Sequence, residues 1–343
     1  MNPVEYPFWA WITFFAVVLT ALFIDIGIVN RRSHAPSRKE TITWSFIWVS
    51  LALAFGTLVY SQFGSFKATE FLTGYLIELS LSVDNLFVFL LIFGYFKVPK
   101  KYQHRVLFWG ILMALVLRMI MIFAGAEIVD QFHWTLYVAG AFLIYTGIKM
   151  FGEDEAFAPE ESAIVNLTMR FVRISKHYDG ENFFVKVDGK RTGTLLLLVL
   201  IVINIADLVF AVDSIPAIFG ITTDRFIVYT SNIFAILGLR TFFFLLLEMA
   251  EKFHFLKYGL AFVLSFIGVK MLLPLLASGL IMLYGSGDAA KSSFLQRFLD
   301  HEFEATLINI SLAVVIGAIL VSIVLSLIFP HKGKKVGEDE PAE

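Results

Sequence analysis

Two apolar runs of this chain each carry a pair of carboxylates six residues apart, and that placement limits the possible folds more than any other feature. Glu78 and Asp84 lie within GYLIELSLSVDNLFVFLLIF; Asp207 and Asp213 lie within LLLLVLIVINIADLVFAVDSIPAIF. The second acid of each pair sits in a V-D-polar triplet, Val83-Asp84-Asn85 and Val212-Asp213-Ser214. A carboxylate at the centre of a bilayer costs at least about 2.5–3.5 kcal/mol on insertion scales, so intramembrane acids mark function. Four of them in matching positions point to a cation held inside a membrane.

The surrounding composition supports a bilayer as the solvent. The chain is 58% hydrophobic and 16% charged, with mean hydropathy +0.78, where a soluble domain carries roughly 25% charged residues. An all-α, polytopic membrane protein follows. The absence of cysteine excludes disulfides, thiol redox chemistry and thiolate metal sites. The first residues, MNPVEYP, hold Glu5 and no basic residue. The apolar run after them exceeds the ~7–15 residues of a signal-peptide core, so 8–29 reads as a retained transmembrane helix.

About 20 apolar residues are needed to cross the hydrocarbon core. Nine segments qualify: 8–29, 42–63, 70–96, 105–125, 132–151, 193–219, 226–247, 255–283 and 304–329. Pro274 is positioned to kink or shorten the eighth, and Pro330 to stop the ninth. Every second loop is basic: Arg31 to Lys39, Lys97 to Arg105, Arg170 to Arg191, Lys252 with Lys257, and Lys332 to Lys335. The intervening loops hold Lys67, then Glu127 with Asp130, then Asp224 with Arg225, then Lys291 and Arg297 among acids. The positive-inside rule then predicts the N-terminus outside and the C-terminus in the cytoplasm.

Helices three to five resemble helices six to eight. Glu78–Asp84 matches Asp207–Asp213, Leu117-Arg118 matches Leu239-Arg240, and Asp130-Gln131-Phe132-His133 matches Glu251-Lys252-Phe253-His254. Gly147-Ile148-Lys149-Met150 matches Gly268-Val269-Lys270-Met271. A unit of three spans re-enters the membrane from the opposite side, so this is a three-plus-three inverted repeat, an arrangement typical of secondary transporters. The chain divides into two N-terminal helices (1–69), a first repeat (70–151), a cytoplasmic linker (152–192), a second repeat (193–283), and a final helix with its tail (284–343). The linker reads as a solvated connector, with an amphipathic helix near 162–177 and a tight hairpin turn at Asp188-Gly189.

Residues six apart on a regular helix differ by about 120° around its axis. Glu78 and Asp84 therefore reach one site only if the helix unwinds locally or if each pairs with the other repeat. Pro216 favours a break beside Asp213; its counterpart Phe87 does not. The candidate ligands are Glu78, Asp84, Asp207, Asp213, the amides of Asn85 and Asn204, and the Ser214 hydroxyl. Such hard oxygen donors suit Mg²⁺, Ca²⁺ or Mn²⁺ and do not separate them. Arg118 and Arg240 lie well inside their helices and either neutralise the acids or gate the path. Lys149 is placed to snorkel, Lys270 lies deeper, and Asp25 reads as interfacial.

These residues resemble a known family. Thr73-Gly74-Tyr75-Leu76-Ile77-Glu78 followed by Ser82-Val83-Asp84-Asn85 is similar to the first signature of the TerC/Alx family of bacterial membrane proteins. Phe210-Ala211-Val212-Asp213-Ser214-Ile215-Pro216-Ala217 and the run Thr230 to Arg240 resemble its second. The resemblance covers about 40–275 and is nearest to the Alx branch. It implies a family linked to tellurite resistance and alkaline induction, with members described as manganese exporters or as redox modulators. By motif, it implies Glu78, Asp84, Asp207 and Asp213 as metal-handling acids, with Asn85, Ser214 and Asn232 beside them.

The expectation is therefore a divalent-cation transporter, Mn²⁺ its substrate and protons its exchange ion. It would carry no permanently bound cofactor, bind no nucleic acid and have no catalytic residues. The alternative is a membrane-bound stress or assembly factor in which the buried charges are a structural lattice.

Overall fold

The computed structural model describes residues 6–24, 38–152, 174–175, 178–187, 190–249, 255–284 and 301–329, with the side chains of Asp84, Asp213 and Arg240 outside that description. Long helices dominate, as they must where no water is present to satisfy backbone groups. In chain order they are α1 (Phe8–Ile24), α2 (Arg38–Tyr95), α3 (Lys100–Gln131), α4 (Thr135–Met150), α5 (Leu195–Phe219), α6 (Arg225–Leu237), α7 (Leu239–Met249), α8 (Leu256–Tyr284) and α9 (His301–Ile328). A short antiparallel hairpin, β1 (Phe184–Val187) with β2 (Lys190–Gly193), lies between α4 and α5.

Among the described residues, five helices are long and apolar enough to cross a membrane, over Lys39–Ser82, Lys100–Gln131, Leu195–Phe219, Leu256–Ser278 and Thr306–Ile328. Beyond these five, the expectation of nine rests on dividing α2 and on the shorter apolar helices. α2 has 58 residues, about 87 Å at 1.5 Å per residue, against a hydrocarbon core of ~30 Å. Gly64, at φ 87° and ψ 174°, interrupts it. Glycine adopts this backbone without the steric cost other residues meet. The expected spans 42–63 and 70–96 thus meet at one broken residue rather than around a loop. The span expected over 226–247 is two helices, α6 and α7, either side of Gly238.

Neither proline ends its helix. α5 runs through Pro216 and α8 through Pro274. Within a bundle, neighbouring helices and local adjustments compensate the lost hydrogen bond. In the linker, Ile174 bridges Gly193 and Ser175 donates its N–H to the Gly193 carbonyl at 2.7 Å. That end of the segment expected to be helical is therefore extended; 153–173, like Asp25, lies outside the described residues. Val187 pairs with Lys190, the register a two-residue connection demands.

α2 packs on α5, α6 and α7, α3 on α5, and α4 on α8. The largest apolar cluster joins α1, α2, α3 and α5–α7 through phenylalanines such as Phe14, Phe55, Phe71 and Phe234. The α4–α8 seam is built on glycine. A Cβ at Gly147 would lie 2.3 Å from Ser265 Oγ and 2.7 Å from the Ala261 carbonyl; one at Gly268 would lie 2.5 Å from the Gly140 carbonyl. Only the lack of a side chain permits so close an approach, the device that packs helices where the solvent is hydrocarbon.

Candidate functional site

The charged centre is assembled from α2, α3 and α5. On α2, Glu78, Ser82 and Asn85 are spaced by four and three residues, so they share one stripe; all three are buried. On α5, Asn204, Asp207 and Ser214 share a stripe by the same rule, and all three are buried as well. Arg118 of α3 enters between the two stripes at 1% exposure.

Arg118 bridges them. Its NH1 pairs with Glu78 Oε1 and donates to Ser214 Oγ at 3.4 Å. Its NH2 donates to Asp207 Oδ1 at 3.2 Å and its Nε to Asp207 Oδ2 at 3.5 Å. The guanidinium fork thus spans both oxygens of Asp207, the geometry arginine offers and lysine does not. One guanidinium holds a carboxylate from each proposed repeat.

Polar atoms that water cannot reach also lie on α2, α5 and α6. Among the described residues, Glu78 Oε2, Ser82 Oγ, Asn204 Oδ1 and both amide atoms of Asn232 have no hydrogen-bond partner. The Asn204 amide nitrogen is engaged, donating to the Leu200 carbonyl at 2.7 Å. Asn232 follows Ser231 on α6. A Cβ at Gly74, one turn before Glu78, would lie 2.9 Å from Ser231 Oγ, so α2 and α6 are in close contact here. Among the described residues no three His, Asp or Glu side chains converge as a metal cluster. The donors available are two carboxylates with amide and hydroxyl oxygens, a set suited to hard divalent cations.

Of the residues singled out in the sequence, the structure joins Glu78, Asp207, Ser214 and Arg118. Asn85 and Asn232 are buried. Lys270 sits half-buried on α8, which packs on α4; Lys149 is exposed, as a snorkelling residue should be. The side chains of Asp84, Asp213 and Arg240 lie outside the described residues. α2 stays helical from Glu78 through Asp84, so Glu78 reaches the other acid pair by way of Arg118 and not by local unwinding. Ser82 was missed by the sequence reading; its four-residue spacing from Glu78 was the available signal.

A second polar cluster closes the end of the bundle that carries the N-terminus. Lys67 bridges Glu70 at 2.9 Å and Asp224 at 2.7 Å. Tyr6 donates to Asp224. Asp224 also caps α6, accepting from the N–H groups of Phe226 and Ile227 at 3.1 and 3.3 Å. Burial and then the hydrogen bond to Asp224 push the Tyr6 phenol above its ordinary range, so it remains a donor. Nearby, Arg225 pairs with Glu127 at 3.1 Å and with Asp130. At the opposite end, Tyr178 donates to the Phe96 carbonyl at 2.7 Å, and Arg105 pairs with Glu181 at 3.3 Å. Burial pushes the Tyr178 phenol up to about 12.

Comparison with known proteins adds what geometry cannot. The sequence profile described as integral membrane protein TerC family matches residues 63–334, reaching well past the part that carries the motifs. An uncharacterized membrane protein of Myxococcus xanthus is 52% identical over 262 residues, 76% of this chain and 82% of the relative. Proteins of Salmonella typhi and Escherichia coli (strain K12), provisionally named membrane-bound redox modulator Alx, are each 48% identical over 283 residues. The match covers 80% of this chain and 88% of theirs. No solved structure matches the chain.

Proposed function

Because the chain belongs to the integral membrane protein TerC family, we propose that this multi-pass membrane protein transports a divalent cation, and that its activity is export of Mn²⁺ across the bacterial inner membrane. Protons taken up by the same carboxylates serve as the exchange ion. In this reading the protein performs no covalent chemistry and keeps no permanently bound cofactor; the metal is cargo. The observation that carries the reading is the triad Glu78–Arg118–Asp207, buried among apolar helices.

The α4–α8 seam supports an inverted repeat as the framework. In the repeat alignment Gly147 corresponds to Gly268 and Gly140 to Ala261. Gly147 meets Ala261, and Gly268 meets Gly140, the reciprocal pairing that a two-fold axis between the halves would produce. Orientation follows from the loops. The acidic and weakly basic loops meet Tyr6 at one end, while the basic loop around Arg105 meets the linker at the other, so the N-terminus faces outward. The redox name of the Alx relatives enters only indirectly. A chain without cysteine has no thiol to exchange, so a redox effect would arise through the ion it moves.

The test is total cellular manganese under Mn²⁺ load in cells lacking the protein, expressing it, or expressing Asp84→Asn, Asp207→Asn or Asp213→Asn at equal membrane abundance. Lower manganese with the native protein alone supports export; equal manganese in all strains removes it. A second reading, a membrane assembly factor, is favoured by the closed ion pairing of Arg118. It requires that the same variants lose stability or partner recovery without any change in metal content.

A further inference from the structure

We infer that Arg118 is a tethered competitor of the transported cation: its guanidinium occupies the space between Glu78 and Asp207 that a divalent ion must take, and its withdrawal admits the ion. This inference rests on the transport reading above and assigns the residue that sets affinity at that site.

Arg118 meets the carboxylates as a cation would. It engages Glu78 from the α2 side and both oxygens of Asp207 from the α5 side, and it touches the Ser214 hydroxyl. Arginine stays protonated under all conditions of interest, so it leaves these carboxylates only by moving. With Arg118 in place the three groups sum to −1. A divalent ion added to them would bring the sum to +1 in a medium that screens charge poorly. With the guanidinium withdrawn, two carboxylates neutralise one divalent ion. A monovalent ion in that place would leave the sum at −1, as Arg118 itself does, so only divalent cargo neutralises the two carboxylates.

Further buried oxygens on α2, α5 and α6 would serve this exchange. Ser82 Oγ, Asn204 Oδ1 and Asn232 Oδ1 are buried and without partners among the described residues. Neutral oxygens of this kind complete the shell of a hard cation or accept from a displaced guanidinium. Displacement also gives the site a means of release. Transport requires binding strong enough to enter yet weak enough to leave, and a cation tethered on α3 returns to the carboxylates as the cargo departs.

The test uses the full-length protein in lipid nanodiscs with MnCl₂ as the probe, read by calorimetric titration, together with Mn²⁺ flux in vesicles. Arg118→Gln removes the competitor, and its Mn²⁺ affinity should rise at least tenfold over native while flux falls because release slows. Arg118→Lys keeps the charge but loses the fork on Asp207; its affinity should rise severalfold, and it serves if Arg118→Gln does not fold. A merely structural arginine would give weaker binding in both. If the native protein moves Mn²⁺ but the folded variants bind it no tighter than native, the inference is overturned and the transport reading stands. If the native protein moves no Mn²⁺ and neither variant binds it, the transport reading fails and the inference with it.

Discussion

The glycine seam between α4 and α8 makes a prediction whose sign is set by distances. In Gly268→Ala the new methyl would sit 2.5 Å from the Gly140 carbonyl oxygen, 2.8 Å from Ile144 Cγ1 and 3.0 Å from the Ile144 nitrogen. Two of these neighbours are backbone, so no rotamer change relieves the clash and the helices must part. Overpacking of this kind costs about 1–3 kcal/mol, while alanine in place of glycine returns up to ~1 kcal/mol of helix propensity. The net expectation is a loss of about 1–2 kcal/mol. Gly317→Ala is the control: α9 has nothing within 4 Å of that Cβ, so it should gain up to ~1 kcal/mol. Unfolding in mixed micelles, followed by helicity, measures both. If Gly268→Ala proves as stable as Gly317→Ala, α4 and α8 do not approach through these glycines, and the reciprocal pairing offered in support of the repeat falls with them.

The bundle end tests charge against capping. Asp224→Ala removes a cap, a partner of Lys67 and an acceptor for Tyr6, and should cost at least ~1–2 kcal/mol. Arg225→Ala breaks pairs whose side chains are 42–50% exposed and should cost below ~1 kcal/mol; thermal melts that rank them the other way would contradict the contacts. Tyr178→Phe should lower stability at neutral pH by about 0.5–1.5 kcal/mol through the lost hydrogen bond to Phe96. The folded phenol titrates about 12 against an ordinary 10.0, so its stabilising effect is complete below pH 10 and is lost as pH rises toward 12. The gap between native protein and Tyr178→Phe should therefore narrow over that window, and a gap that widens would refute the assignment.

Much of this architecture was legible because hydropathy acts locally. The expected apolar runs fall on helices, although 42–63 and 70–96 share α2 and 226–247 is divided between α6 and α7, and Glu78, Asp207 and Arg118 stood out because charge in such runs is expensive. What the sequence could not supply was rotation. Attention to the six-residue spacing drew the eye to Asp84 and Asp213. Among the described residues, Arg118 meets Glu78 on α2 and, on α5, Asp207 and Ser214, which are seven residues apart. Which groups an arginine meets depends on how three helices are turned about their axes, and a linear pattern does not carry that. Gly147 and Gly268 were noticed for the lysines that follow them. Their spacing of seven from Gly140 and Ala261 was the signal of a packed face. The Gly64 break was invisible for a different reason: a glycine in a short polar stretch reads as a loop, and only the fold decides that helix resumes on both sides of it.

The energetics of the centre argue that it is not there for stability. Removing two carboxylates and a guanidinium from water is repaid only when geometry and every remaining hydrogen bond are good, and apolar replacements of similar volume are often as stable or more so. Here the fork reaches both oxygens of Asp207, but at 3.5 and 3.2 Å, longer than the roughly 2.7–2.9 Å of a tight charge-assisted bond. Elsewhere the accounting is poor as well: Ser82 Oγ, Asn204 Oδ1 and both amide atoms of Asn232 are buried with no partner among the described residues. Each such atom costs about 1–3 kcal/mol when left unsatisfied. Leucine or alanine at these positions would pack against their neighbours without that cost. A bundle that keeps these oxygens buried at such a cost keeps them for something other than stability.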